Sequence, residues 1–234
     1  LGMPYAVAAV VSVAAMGLFG ALFYGLVVYR VVGVGWQSQL VATLAASIIL
    51  INFATAVAGS LPRFVDSPFV ATVLSLGSVR FSLQRVLVLA CALIAFLALY
   101  LFLRHTKLGK AMRALSQNRD ASLVVGIPVH RVGMAAVMLG AMLAGVAGVT
   151  IPVLSNVLPT IGLPVTIKAF AAVVMGGFGN VQGAIVSAFA IGLIEALGTG
   201  YLSSEYGDAI VFAVMIVVLV ARPHGLFGRP VRVS

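Results

Sequence analysis

Two charged side chains stand inside otherwise apolar runs of this sequence: Lys168, in LPVTIKAFAAVVMGG, and Glu195, in AIGLIEALGTG. Within a bilayer each charge costs about 3 kcal/mol by the lower estimates, so each needs a partner or water. Counted at 1.5 Å per residue from the Gly177–Asn180 turn, Lys168 stands about 13 Å up one helix and Glu195 about 22 Å up the next. That offset of about 9 Å is within reach of long side chains, though poorly matched. Two uses stay open: a structural pair or snorkelled charges, and a role in a gate or translocation path.

No motif for covalent or nucleotide chemistry accompanies them. Gly109-Lys110 is followed by Ala111, and no glycine stands five positions upstream as a phosphate cradle requires. GGFGN joins two apolar helices where no strand is possible, so it is not a dinucleotide fingerprint. His105, His130 and His224 fall at the ends of segments without metal-ligand spacing and are expected to be solvated or lipid-facing; no metal site is expected. The single cysteine, Cys91, lies in an apolar run and reads as a packing residue.

The elements that must position these residues follow from composition. Hydrophobic residues make up 62% of the 234 residues, charged residues only 8%, and the mean hydropathy is +1.21. A soluble domain carries roughly 25% charged residues, so this is an integral membrane protein. The runs lack the alternation of barrel strands, which makes it all-α, a polytopic helical bundle. One continuous membrane domain over residues 1–234 is expected, because no stretch is polar and long enough to fold separately in water. Seven hydrophobic segments are read at 4–29, 40–59, 84–103, 132–151, 163–177, 180–200 and 207–222. The fifth is short for a full span and is either re-entrant or steeply placed. Gly176, Gly177 and Gly179 suit the tight turn that ends it.

If all seven segments cross, ten of the fourteen Lys and Arg fall on one side: Arg30, six between Arg104 and Arg131, and Arg222, Arg229 and Arg232. Arg63, Arg80 and Arg85 fall on the other. The positive-inside rule makes the first side cytoplasmic, with Ser234 inside and Leu1 outside, and this topology accounts for the net charge of +9 without nucleic acid. Asp66, Glu205 and Asp208 then lie outside. The chain opens on Leu1, and a cytoplasmic native N-terminus requires an odd number of further spans upstream.

Two stripes of small residues repeat every four positions: Ala136, Gly140, Ala144 and Gly148, and Ala184, Ala188, Gly192, Ala196 and Gly200. Such ridges let helix backbones approach in lipid, although a pore lined by small residues has the same pattern. The outer segment PVLSNVLPTIGLP holds three prolines and no charge, so it cannot be helical throughout. Ser155, Asn156 and Thr160 either line an outer gate there or belong to an ordinary connection. The longer stretch from Ser60 to Gln84 is a candidate surface for a soluble binding protein.

Between the third and fourth segments lies RHTKLGKAMRALSQNRDASLVVGIPVHR, a basic island. Leu108, Met112 and Leu115 fall on one helical face, with Lys110, Arg113, Gln117 and Asp120 opposite. Asn118 or Asp120 can cap a second short helix running through Val125, with Gly126 as its stop. A basic juxtamembrane segment can simply follow the positive-inside rule or bind anionic lipid. Nucleic acid is a poor fit, since no aromatic residues interleave the charges. The Asn-Arg-Asp step, the Gly-Ile-Pro stop and the alanines favour docking to a cytoplasmic protein.

GKAMRALSQNRDASLVVGIPVHRV resembles the cytoplasmic coupling segment of branched-chain amino acid ABC-importer permeases of the H-subunit type. The resemblance continues, in order, through GAMLAGVAGV, KAFAAVVMGGFGNVQGAIVSAFAIGLIEAL and YLSSEYGDAIVFAVMIVVLVARPHGLFGRP, with YGLVVYR and LVATLAASIIL near the start. It implies an importer subunit that hydrolyses nothing and holds no cofactor itself, ATP being bound by its partners. Those partners are a second permease subunit, two cytoplasmic ATPase subunits and an extracytoplasmic substrate-binding protein. It further implies that Arg113, Ala114, Gln117, Asn118, Asp120, Ala121 and Gly126 couple the ATPase to the spans. Members normally carry further spans ahead of the region matching Tyr5 to Arg30, so either the start is missing here or this is a shortened version. Members of the class carry branched-chain amino acids, urea or short amides. A self-contained secondary transporter or channel would instead show paired interrupted helices, and a mere membrane anchor would leave Lys168 and Glu195 unexplained.

Overall fold

The computed structural model describes residues 5–59, 61, 73–76, 79–151, 158–177, 179–201, 206–222 and 225–227. The backbone of an apolar run in lipid has only itself to hydrogen-bond with, and the runs are accordingly helical. Helix α1 (Tyr5–Phe23) continues through a π-helical turn (Tyr24–Val28) into the short α2 (Tyr29–Val31). Next come α3 (Trp36–Ala58), α4 (Leu83–His105), the short α5 (Lys107–Gln117) and α6 (Arg119–Val124), then α7 (Val129–Thr150). Helices α8 (Gly162–Gly176), α9 (Val181–Tyr201) and α10 (Gly207–Ala221) complete the order. Among the described residues, five helical stretches are long and apolar enough to cross a membrane, and α8 and α10 are shorter apolar helices. Each of the seven hydrophobic segments read from sequence is, among the described residues, helical through its body.

One addition to the helical reading is a small antiparallel hairpin, β1 (Val73–Leu76) with β2 (Val79–Ser82), in the register Val73 opposite Ser82 and Leu76 opposite Val79. Its strands flank Gly77-Ser78 in sequence, a pair that signals a two-residue hairpin connection. The run is too short and too irregular in hydropathy to stand out against the long apolar segments around it.

The chain divides into two compact units, Leu1–Pro159 and Thr160–Ser234. In the first, α1 packs along α7. The contact uses small residues, but not the stripe expected: Ala136, Gly140, Ala144 and Gly148 are all exposed, and a Cβ added at Gly140 or Gly148 would meet nothing within 4 Å. The packed ridge lies one position further round, at Gly133, Val137, Ala141 and Gly145. A Cβ on Gly20 would come within 2.6 Å of Ala141 Cβ, and one on Gly145 within 3.0 Å of Met16 Cβ. Both ridges repeat every four residues; the glycines on α1 decide which of them is used.

In the second unit, Ala171, Ala172 and Met175 of α8, Ile191 of α9 and Val211 of α10 form the core. Helix α9 is displaced the other way, by one position toward its start, with Ala188 of the expected stripe still packed against the core. Gly183, Ser187, Ile191 and Gly198 are buried, whereas Gly192, Ala196 and Gly200 of the expected stripe are exposed. Cys91, read as a packing residue, is exposed on α4.

Candidate functional site

The basic island is built as two helices joined at Asn118. Thr106 caps α5, its Oγ1 accepting from the Gly109 backbone N–H at 3.0 Å. Gly109 is buried against the end of α4, where a Cβ would collide with the backbone of Phe102 and Leu103. Its lack of a side chain lets α5 fold back tightly, a role that the Gly109-Lys110 pair does not announce in sequence. Of the two caps considered for the next helix, Asn118 is the one used: its Oδ1 accepts from Ala121 N–H at 3.0 Å. Asp120 sits instead in the first turn of α6, where its charge favours the positive end of the helix.

The end of α6 is closed by a Schellman motif. Ile127 N–H donates to the Ser122 carbonyl and Gly126 N–H to the Leu123 carbonyl, each at 3.0 Å, while Gly126 adopts φ +82°. Only glycine takes that backbone without strain, so the stop is fixed by residue type. Arg113, Gln117, Asn118, Asp120, Ala121 and Gly126 are exposed and Ala114 is half-buried, which makes a largely free polar edge along α5 and α6. Leu123, Val124 and Val125 add exposed apolar surface beside it.

Lys168 and Glu195 do meet. Lys168 Nζ lies 2.7 Å from Glu195 Oε1, and 2.8 Å from Asp208 Oδ1 as well. Side chains lean toward the N-terminus of their own helix. On the antiparallel α8 and α9 the two residues therefore lean toward each other, which closes the depth offset counted along the axes. Asp208, read from sequence as lying on the outer side at the start of the seventh segment, is in the first turn of α10 and completes the cluster. One cation between two carboxylates leaves a net negative charge, and Asp208, with its side chain 61% exposed, is the open edge of the group.

The turn between α8 and α9 is closed from a third direction. Gly176 and Gly183 are so close that a Cβ on either would collide with the backbone of the other, and Gly177 and Gly179 take φ +98° and +81°. Leu226 N–H donates to the Met175 carbonyl at 2.7 Å and Phe227 N–H to the Gly176 carbonyl at 3.3 Å. Asn180 accepts from Gly183 N–H and donates through Nδ2 to the Phe227 carbonyl, both at 3.0 Å. This strap was not legible in the sequence. Thr160 lies in the turn ahead of α8, its carbonyl accepting from Leu163 N–H. Ser155 and Asn156, along with Asp66 and Glu205, lie outside the described residues. Among the described residues no group of three His, Cys, Asp or Glu could hold a metal ion.

The family described as branched-chain amino acid transport system / permease component matches residues 1–219. The high-affinity branched-chain amino acid transport system permease protein LivH of Escherichia coli (strain K12) is 34% identical over 196 residues, 82% of this chain and 64% of that protein. BraD of Pseudomonas aeruginosa, another high-affinity branched-chain amino acid transport system permease, is 32% identical over 172 residues, covering 73% and 56% of the two chains. The ribose import permease protein RbsC of Escherichia coli (strain K12) is 35% identical over 135 residues, 54% of this chain and 42% of its own. The chain thus spans less than two thirds of the length of these relatives. No solved structure matches it. With helices of membrane-crossing length and a family match over nearly its whole extent, this multi-pass membrane chain belongs to the branched-chain amino acid transport system permease family.

Proposed function

We propose that the chain is the membrane-spanning part of an ATP-driven importer subunit in a bacterial-type inner membrane, translocating branched-chain or related amino acids received from an external binding protein. It acts as one permease domain with a second permease subunit and two cytoplasmic ATPases. The observation that carries this reading is the α5–α6 edge, a capped and closed pair of short helices presenting Arg113, Gln117, Asp120 and Ala121 free of the bundle. An ATPase groove can grip such an edge, with small residues allowing approach and polar ones fixing register. The excess of Lys and Arg on the same side supports a cytoplasmic edge and C-terminus. On this reading ATP is bound by the partner ATPases.

On this topology the Lys168, Glu195 and Asp208 cluster lies toward the outer half of the second unit. A three-helix ion cluster there suits an outer gate, with Ser155, Asn156 and Thr160 on the segment leading to it. The cargo assignment rests on the branched-chain relatives. The ribose permease matches a shorter stretch at similar identity, so urea, short amides or other small solutes are the competing cargoes.

The test is purification of the chain from its native host in mild detergent, followed by reconstitution. Recovery of two ATPases and a second permease, with leucine uptake that requires ATP and the binding protein, is the expected result. Uptake by the chain alone without ATP would replace the importer with a self-contained transporter.

A further inference from the structure

The first helix is interrupted by a π-helical turn at Tyr24–Val28, closed by the Tyr29 backbone N–H donating to the Tyr24 carbonyl. On a regular α-helix residues five apart point about 140° away from each other. The extra residue in the π turn removes most of that divergence, so Tyr24 and Tyr29 come to one side. What they meet there is His130, the second residue of α7. The Tyr24 hydroxyl lies 3.4 Å from His130 Nδ1, and the Tyr29 ring centroid is 4.7 Å from that of the imidazole. Tyr24 is buried, 5% exposed, and seated over Gly133, where a Cβ would come within 2.9 Å of the tyrosine oxygen.

The place of His130 in the chain gives this contact its meaning. Helix α7 starts at Val129, directly after the Gly126–Pro128 break that ends the α5–α6 edge. Displacement of that edge reaches the start of α7, where the two tyrosines of the first helix meet the imidazole, as it reaches α4 on the other side through Gly109. Turns of this type occur mostly as single irregularities within α-helices, frequently at functional sites, and this one brings the two rings to one side. We infer that Tyr24, Tyr29 and His130 form a positioning clasp that passes movement of the coupling edge to the first helix, with the π turn as the helical register the clasp holds. The inference rests on the coupling role proposed above for α5 and α6.

Two measurements test it separately. Amide hydrogen exchange over residues 24–32 of the purified chain is compared for wild type, Tyr24→Phe, His130→Leu and His130→Asn. Loss of one net hydrogen bond predicts exchange faster by about fivefold in Tyr24→Phe and His130→Leu. His130→Asn, which keeps a polar atom near the Nδ1 position, should return toward wild type. Equal exchange in all four would overturn the clasp. In the reconstituted importer, leucine taken up per ATP hydrolysed should fall by a similar factor in His130→Leu and recover in His130→Asn, with ATPase co-purification unchanged in both. An unaltered ratio alongside altered exchange would overturn the transmission role. Failure of the coupling reading itself would show in the wild type, as uptake indifferent to ATP, before any variant is compared.

Discussion

Lys168 and Asp208 sit on different helices of the second unit, with Nζ and Oδ1 2.8 Å apart and Glu195 closing on the same ammonium from a third helix. Removing the shared cation leaves two carboxylates facing each other, whereas removing the outer carboxylate leaves a neutral pair. Lys168→Met should therefore lower the thermal unfolding midpoint in detergent clearly, and Asp208→Asn only slightly. The exposed position of Asp208 limits its share to about 1 kcal/mol or less. A Lys168→Met/Glu195→Gln double variant should regain part of the loss. Equal midpoints for Lys168→Met and Asp208→Asn would mean that the cluster is not shared in this way.

The displaced ridges give a direct contrast on α7. Gly145→Leu drives a side chain into Met16 and Val13, and overpacking of this kind costs about 1–3 kcal/mol. Gly140→Leu enters open space and should leave the isolated chain's unfolding midpoint where it was. Near-identical midpoints for the two variants would put the packed ridge in the wrong place.

Asn180 serves two hydrogen bonds that a pair of variants can separate. Asn180→Asp keeps the acceptor for Gly183 N–H but loses the donor to Phe227, while Asn180→Ala loses both. Proteolysis between Arg222 and Phe227 should quicken in both. The loss that belongs to the helix cap, on the order of 1 kcal/mol, should appear only in Asn180→Ala.

For the coupling edge, Asp120→Ala and Arg113→Ala should reduce ATPase co-purification or substrate-stimulated ATP hydrolysis without moving the unfolding midpoint, since both side chains are exposed. Gly126→Ala forces a side chain into positive φ and should weaken the edge through its backbone by about 1 kcal/mol. Wild-type assembly and hydrolysis in both side-chain variants would remove the edge from the transmission path.

The helices were legible because long apolar runs leave little choice in lipid, and the α5–α6 break because Asn118 and Gly126 carry cap and stop chemistry in their own side chains or lack of one. Faces were harder. Periodicity at four residues marks a ridge at Ala136 and another at Val137 equally well, and only the glycines of the opposing helix distinguish them. The Tyr24–Tyr29 pair escaped for a related reason: a spacing of five has no meaning until the helix departs from 3.6 residues per turn. Asp208 was placed on the outer side as the second residue of the seventh segment, and hydropathy there does not say that it faces Lys168 on a neighbouring helix. Neither the strap nor the hairpin has a hydropathy signal.

Ribosomal synthesis releases a chain in order, and Asn180 leaves forty-seven residues ahead of Phe227. Through that interval the carbonyls of Met175 and Gly176 wait for donors that have yet to be translated. The turn between α8 and α9 is therefore completed last, by a segment translated after both of the helices it closes.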